Sequence, residues 1–140
     1  MKIVVDANRI FAATIKDSTT REILLDLFFE FIAPDFIMSE IRKNQDMTMK
    51  KAEITKDEFE FFLSLIFERI KIIPESEYSE FIDLIKDEIN DPKDVPYLAA
   101  CLASKAYGIW THDPDFNKQN KAKVLTNIDM LRLSGKAKPD

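Results

Sequence analysis

Apolar residues fall into two rhythms along this chain. Short runs rich in β-branched residues alternate with longer stretches whose apolar positions recur every three or four residues. The first rhythm predicts buried strands and the second amphipathic helices. Lys2–Val5 reads as a strand, and so do Phe31–Ala33, closed by Pro34, and Lys71–Ile73, stopped by Pro74. Ile109–Thr111 and Val124–Leu125 complete the set. Between them, residues 19–29 read as a helix with Thr19 and Glu22 as a capping box, and 35–43 as a helix with Ile37 and Ile41 one turn apart. Residues 44–54 are polar and read as a loop or frayed helix. Thr55 and Glu58 form a second capping box ahead of Phe59, Phe62, Leu63, Ile66 and Ile70 at helical spacing. Residues 78–89 are helical. The segment DPKDVPYLAACLASKAYG is read as a helix capped by Asp91, with Pro92 at its first position and Gly108 at its end. Residues 127–133 give a last short helix.

Strands separated by helices imply parallel pairing through crossovers. The expected fold is α/β: a three-layer α/β/α domain with a four- to five-stranded, mainly parallel sheet. In such folds the functional crevice lies at the carboxyl ends of the strands.

Composition narrows the chemistry. With only two glycines, Gly108 and Gly135, neither a Walker loop nor a dinucleotide fingerprint can be written. The lone cysteine, Cys101, excludes an internal disulfide and a Cys-based zinc cluster, and its apolar surroundings read as core. His112 is the only histidine, and no nucleophile elbow accompanies it. A charge appears after three apolar residues, so no signal peptide is expected, and no run approaches a membrane span. A soluble, cytoplasmic protein is expected. The net charge of −5 argues against indiscriminate nucleic-acid binding, but bound divalent cations would invert the sign wherever acids cluster.

Four carboxylates stand out against the predicted strand ends. Asp6 directly follows the first strand, and Asp113 follows the Ile109–Thr111 strand. Asp94 lies in the first turn of the helix leading to that strand. Glu40 sits inside a helix at the margin of an apolar stripe, an expensive place unless a cation pairs with it. Hard divalent cations take such oxygen ligands, and a two-ion site can hydrolyse a phosphodiester without histidine, cysteine or a glycine loop. Each acid also has a plainer reading. Asp6 could cap the helix after strand one, Asp91 and Asp94 could form an ordinary capping pair, Asp113 could cap a one-turn helix, and Glu40 could be a surface acid.

The opening IVVDAN, the DVPYLAACLA helix followed by GIWTHDPDF, and the isolated Glu40 between them resemble the PIN-domain family of ribonucleases, which includes the VapC-type toxins of toxin–antitoxin pairs. The block over residues 91–116 is the most specific part. The resemblance implies one PIN-like nuclease domain over residues 1–140, an acidic pocket binding Mg²⁺ or Mn²⁺, and hydrolysis of RNA. It places the family acids on Asp6, Glu40, Asp94 and Asp113, with Asp6, Asp94 and Asp113 as metal ligands. Asn8, Asp91, Thr111 and Asp115 fall at supporting positions, and Asp91 could share or replace the role of Asp94.

Arg9, Arg42, Lys43 and Lys118 are candidate RNA contacts beside these acids, each with the plainer reading of solubilising charge. The Phe59–Phe67 cluster carries more aromatic surface than one helix face needs. It is expected to form part of a homodimer interface or to receive an antitoxin segment. The alternative function is a non-catalytic RNA- or protein-binding module of the same fold. A receiver-type phosphoacceptor is disfavoured, since strand one lacks a paired acid and no Lys follows the last strand.

Overall fold

The computed structural model describes residues 1–15 and 17–137. Five strands form one parallel sheet: β1 (Lys2–Val5), β2 (Glu30–Pro34), β3 (Ile70–Ile73), β4 (Gly108–Trp110) and β5 (Lys123–Leu125), in the order β3-β2-β1-β4-β5. The chain thus builds outward from β1 to β3, returns to the other side of β1 with β4, and ends at β5. The strand order reverses between β1 and β4, which is where open parallel sheets form their ligand crevice. Register sets Val5 beside Trp110, so the residues after both strands emerge side by side.

Helices flank the sheet: α1 (Ala7–Thr14), α2 (Ser18–Leu24), α3 (Phe36–Lys43), α4 (Gln45–Ala52), α5 (Lys56–Phe67), α6 (Glu75–Ile85), α7 (Val95–Ser104) and α8 (Asn127–Leu133). The arrangement is the expected three-layer α/β/α fold. Ile3, Val4, Val5, Phe31, Ile32, Ile109 and Trp110 on the strands are buried against Leu98 and Cys101 of α7 and the apolar faces of the other helices. The strands are apolar runs because helices cover the sheet. The Trp110 ring is fully buried, and its Nε1 donates to Asn127 Oδ1 (2.8 Å).

The helix starts differ from expectation in an instructive way. The α2 cap is Asp17, whose Oδ1 accepts from the Thr20 amide (3.1 Å), not Thr19 with Glu22, and the helix stops at Leu24. The 44–54 stretch is a helix, α4, ended by Glu53 at φ 56°. The Thr55–Glu58 capping box forms as expected. Helix α6 begins three residues before Tyr78, because Asp35 caps it from another element: its carboxylate accepts from the Glu75 amide (3.1 Å) and the Tyr78 hydroxyl (2.6 Å). Helix α7 starts after Asp94, with Pro96 rather than Pro92 in its first turn, and ends at Ser104 with Lys105 at φ 55°. Gly108 does not end that helix but opens β4. A β-carbon there would lie 2.9 Å from the Lys123 carbonyl oxygen, so the close approach of β4 and β5 requires glycine. No helix among the described residues is long and apolar enough to cross a membrane.

Candidate active site

The sheet's switch point delivers Asp6 and Thr111 to one place. Asp6 leaves β1 with its amide donating to the Trp110 carbonyl (3.1 Å), and Thr111 leaves β4 with its amide donating to the Leu125 carbonyl (3.1 Å). Both side chains are buried. Asp6 occupies the N-cap position of α1 but makes no side-chain capping bond. Its carboxylate turns to Thr111 instead, whose hydroxyl donates to Asp6 Oδ2 (2.7 Å). The same hydroxyl oxygen accepts from Asn8 Nδ2 (3.1 Å) and from the Asp113 amide (3.0 Å). Two donors occupy both acceptor positions of Thr111, so its single proton is directed at Asp6. Thr111 therefore orients an acid and fixes the turn that carries Asp113.

Asp113 caps the short 3-10 turn Pro114–Lys118, with Oδ1 accepting from the Asp115 amide (2.9 Å). Asp94 sits at the N-cap of α7 without capping it, and its Oδ2 is buried with no hydrogen-bond partner. Glu40 lies on α3 and accepts a hydrogen bond from the hydroxyl of Tyr97 on α7. Asp91 holds the turn before α7, its Oδ1 accepting from the Lys93 amide (3.0 Å).

The acids act on one another's charge. Burial is the main cause that pushes Asp6 up to about 6, opposed by the Thr111 hydrogen bond and reinforced by the charges of Glu40 and Asp113. Burial again leads in pushing Asp94 up to about 8, followed by the charges of Asp113, Asp6 and Asp91. Glu40 is raised by burial, against the Tyr97 hydrogen bond and the charges of Lys93 and Lys43. Burial, then the charges of Asp6 and Glu40, raise the Tyr97 phenol.

One close group of carboxylate oxygens includes two acids that the sequence placed as supporting residues. Asp91, Asp94 and Asp115 each offer an oxygen within 4.8 Å of the others, and Asp113 and Asp6 act on Asp94 through their charges. Asp91, Asp94 and Asp115, with the unpartnered Asp94 oxygen among them, make an all-oxygen donor set of the kind that hard divalent cations take. The residues present fit such an ion, and a cation would offset the burial and mutual repulsion that push Asp94 up.

The basic candidates divide. Arg9 is buried and structural: its Nε donates to Asn8 Oδ1 (2.9 Å) and an Nη to Asn127 Oδ1 (3.5 Å). Arg42 pairs with Glu60 across α3 and α5. Lys118 pairs with Asp115 (3.6 Å). Lys43 is exposed at the end of α3 beside Glu40. The sequence reading missed Tyr97, Lys93 and Asn127. Tyr97 lies one turn after Asp94, which places both on one face of α7, but a tyrosine within an apolar run reads as core. Asn127 joins Trp110, Arg9, Thr20 and His112 in one network. His112 Nε2 accepts from the Asn127 amide (3.1 Å), and burial pushes the Cys101 thiol up to about 12. Neither side chain is placed as a nucleophile or its base.

The model of the PIN domain matches residues 4–129 of this sequence. The chain belongs to the PIN-domain family. No curated protein matches it. Among solved structures, the chain is similar to a chain in the crystal structure of VapBC2 from Rickettsia felis bound to a DNA fragment from their promoter. That similarity has a TM-score of 0.66 and 15% identity, and covers 90% of this chain and 98% of the other. At that identity the likeness speaks for the PIN fold.

Proposed function

We propose that this PIN-domain protein is a metal-dependent endoribonuclease that hydrolyses RNA phosphodiester bonds at the acidic crevice between β1 and β4. The buried, unpartnered Oδ2 of Asp94 carries the reading, because a desolvated carboxylate oxygen without a donor costs free energy unless a cation joins it. Asp6, Asp94 and Asp113, with Asp91 and Asp115 beside them, would hold Mg²⁺ or Mn²⁺. Such an ion supplies charge neutralisation at the phosphate and acidifies water. Thr111 and Asn8 fix the Asp6 carboxylate, and Asp115 fixes Asp113 through its amide. Glu40, raised by burial and held by Tyr97, is placed to hold or orient a proton at its free oxygen.

The described residues would act as one nuclease domain in the cytoplasm. The structural neighbour is a VapBC complex, and we extend that association to a toxin role for this chain, with an antitoxin segment as partner. On α5, Phe59, Leu63 and Ile66 are buried while Phe61 and Leu65 are exposed. Thr14, Arg21, Ile54, Glu58, Phe61, Phe62 and Leu65 line a cavity of about 270 Å³ there. This apolar surface suits an antitoxin side chain or a second copy in a homodimer, and sedimentation of the purified chain separates the two. A monomer excludes the homodimer.

The central test is cleavage of a labelled single-stranded RNA. Asp6→Asn and Asp113→Asn should each reduce cleavage by at least 100-fold on the scale of losing a catalytic group, with circular dichroism unchanged. Full activity in Asp6→Asn, or in excess EDTA, overturns the proposal. A non-catalytic module of this fold would bind no Mn²⁺ in a calorimetric titration.

A further inference from the structure

One wall of the acid cluster is basic. Lys43, the last residue of α3, and Lys93, in the turn before α7, stand fifty residues apart in sequence. They line a single small cavity of about 160 Å³ with Phe36, Ser39, Glu40 and Asn44. Glu40 feels both lysine charges, and also that of Asp91. Among the described residues neither ammonium makes an ion pair, unlike Arg42 and Lys118, whose charges are taken by Glu60 and Asp115. The backbone at Lys93 is set by its amide bond to Asp91, and that at Lys43 by the helix. The cavity holds about five waters at ~30 Å³ each, room enough for a phosphodiester group. In a chain of net charge −5, Lys43 and Lys93 place two cations on one cavity beside Glu40.

We propose that Lys43 and Lys93 form a phosphate subsite that holds the backbone of single-stranded RNA next to the acid cluster, with Glu40 as the wall shared by the two. The subsite rests on the nuclease reading above and adds to it the path of the strand: one phosphate lies between the lysines while its neighbour reaches the acids. The contact is electrostatic and independent of sequence.

The test uses full-length protein carrying Asp6→Asn, with Mn²⁺ present, and a fluorescent single-stranded RNA followed by anisotropy over a salt series. Adding Lys43→Met and Lys93→Met should weaken binding several-fold and make the log–log salt slope shallower by about 0.7, the loss of one phosphate contact on a single strand. In the otherwise unmodified protein, the two lysine changes should leave Mn²⁺ affinity by calorimetry undiminished. Lys50→Met with Lys51→Met, an exposed pair on α4, serves as the charge-matched control and should leave the slope unchanged. An unaltered slope in the Lys43/Lys93 variant, or an equal change in the control, overturns the subsite. Cleavage by the unmodified protein together with an unaltered slope defeats the subsite alone. RNA binding with the expected slope change but no cleavage defeats the nuclease reading alone, and no RNA binding defeats both.

Discussion

Tyr97 shows how a residue that looks like core can belong to a site. Its ring is fully buried, yet its hydroxyl donates to Glu40. A buried phenol needs a partner, and here the partner is a half-buried acid whose ionised form that bond favours. Tyr97 is thus a positioning residue for Glu40. Tyr97→Phe should keep the fold at a cost of about 1 kcal/mol, raise the Glu40 pKa read by carbon-13 NMR, and lower kcat for RNA with little change in KM. An unmoved Glu40 titration would show the bond to be structural only. Asp6 was legible in the sequence because it directly follows a strand, and Asp113 because it follows another. Tyr97 and Lys93 were not, since their meaning comes from Glu40, more than fifty residues earlier in the chain. The Asp91–Asp94–Asp115 proximity was not legible either, because it depends on how the turn before α7 folds against the 3-10 turn after β4.

At the scale of elements, strand positions followed from the apolar runs, while several helix ends did not. Caps explain the difference. Short polar side chains bond amides near them in space as well as in sequence, so Asp17 displaced Thr19, and Asp35 caps α6 from forty residues away. The end of α7 carries a measurable cost. Lys105 adopts the left-handed conformation at φ 55°, where a β-carbon is disfavoured and glycine is usual. Lys105→Gly should therefore raise stability by about 0.5–1 kcal/mol in a urea titration, without altering RNA cleavage. A loss of stability would mean that the lysine side chain contributes more than the backbone costs.

The whole molecule carries its acids at a cost that depends on pH. Without metal, the folded state keeps protons on Asp6 and Asp94 up to about 6 and about 8, whereas the unfolded chain releases them near pH ~4. Stability from this source is complete below about pH 4 and lost as pH rises through the folded values. For Asp6 the loss is about 3 kcal/mol. Asp17 and Asp26, held below the usual carboxylate range by backbone hydrogen bonds, contribute in the opposite sense, but below that window. Thermal melts in EDTA should therefore give a lower Tm at pH 8 than at pH 5, and Mn²⁺ should restore more at pH 8 than at pH 5. A flat profile in EDTA would mean that both acids are already ionised in the folded protein, and would remove the main physical reason for a cation there. The layer architecture was legible from the alternation of strands and helices. The strand order was not, because periodicity does not say on which side of β1 the later strands pair.

The central position of β1 has a consequence for synthesis. β1 is made before the other four strands of the sheet; it is completed on one flank by β2 at once, but on the other flank only by β4, and the Thr111 hydroxyl that orients Asp6 lies 105 residues downstream. A nascent chain that has reached only α6 carries Asp6 and Glu40 but neither Asp94 nor Asp113. Half of the acid set is then missing, together with the strand that lines the crevice. An acid set built this way stays incomplete during synthesis until the segment from Asp94 to Asp113 has followed α6 out of the ribosome.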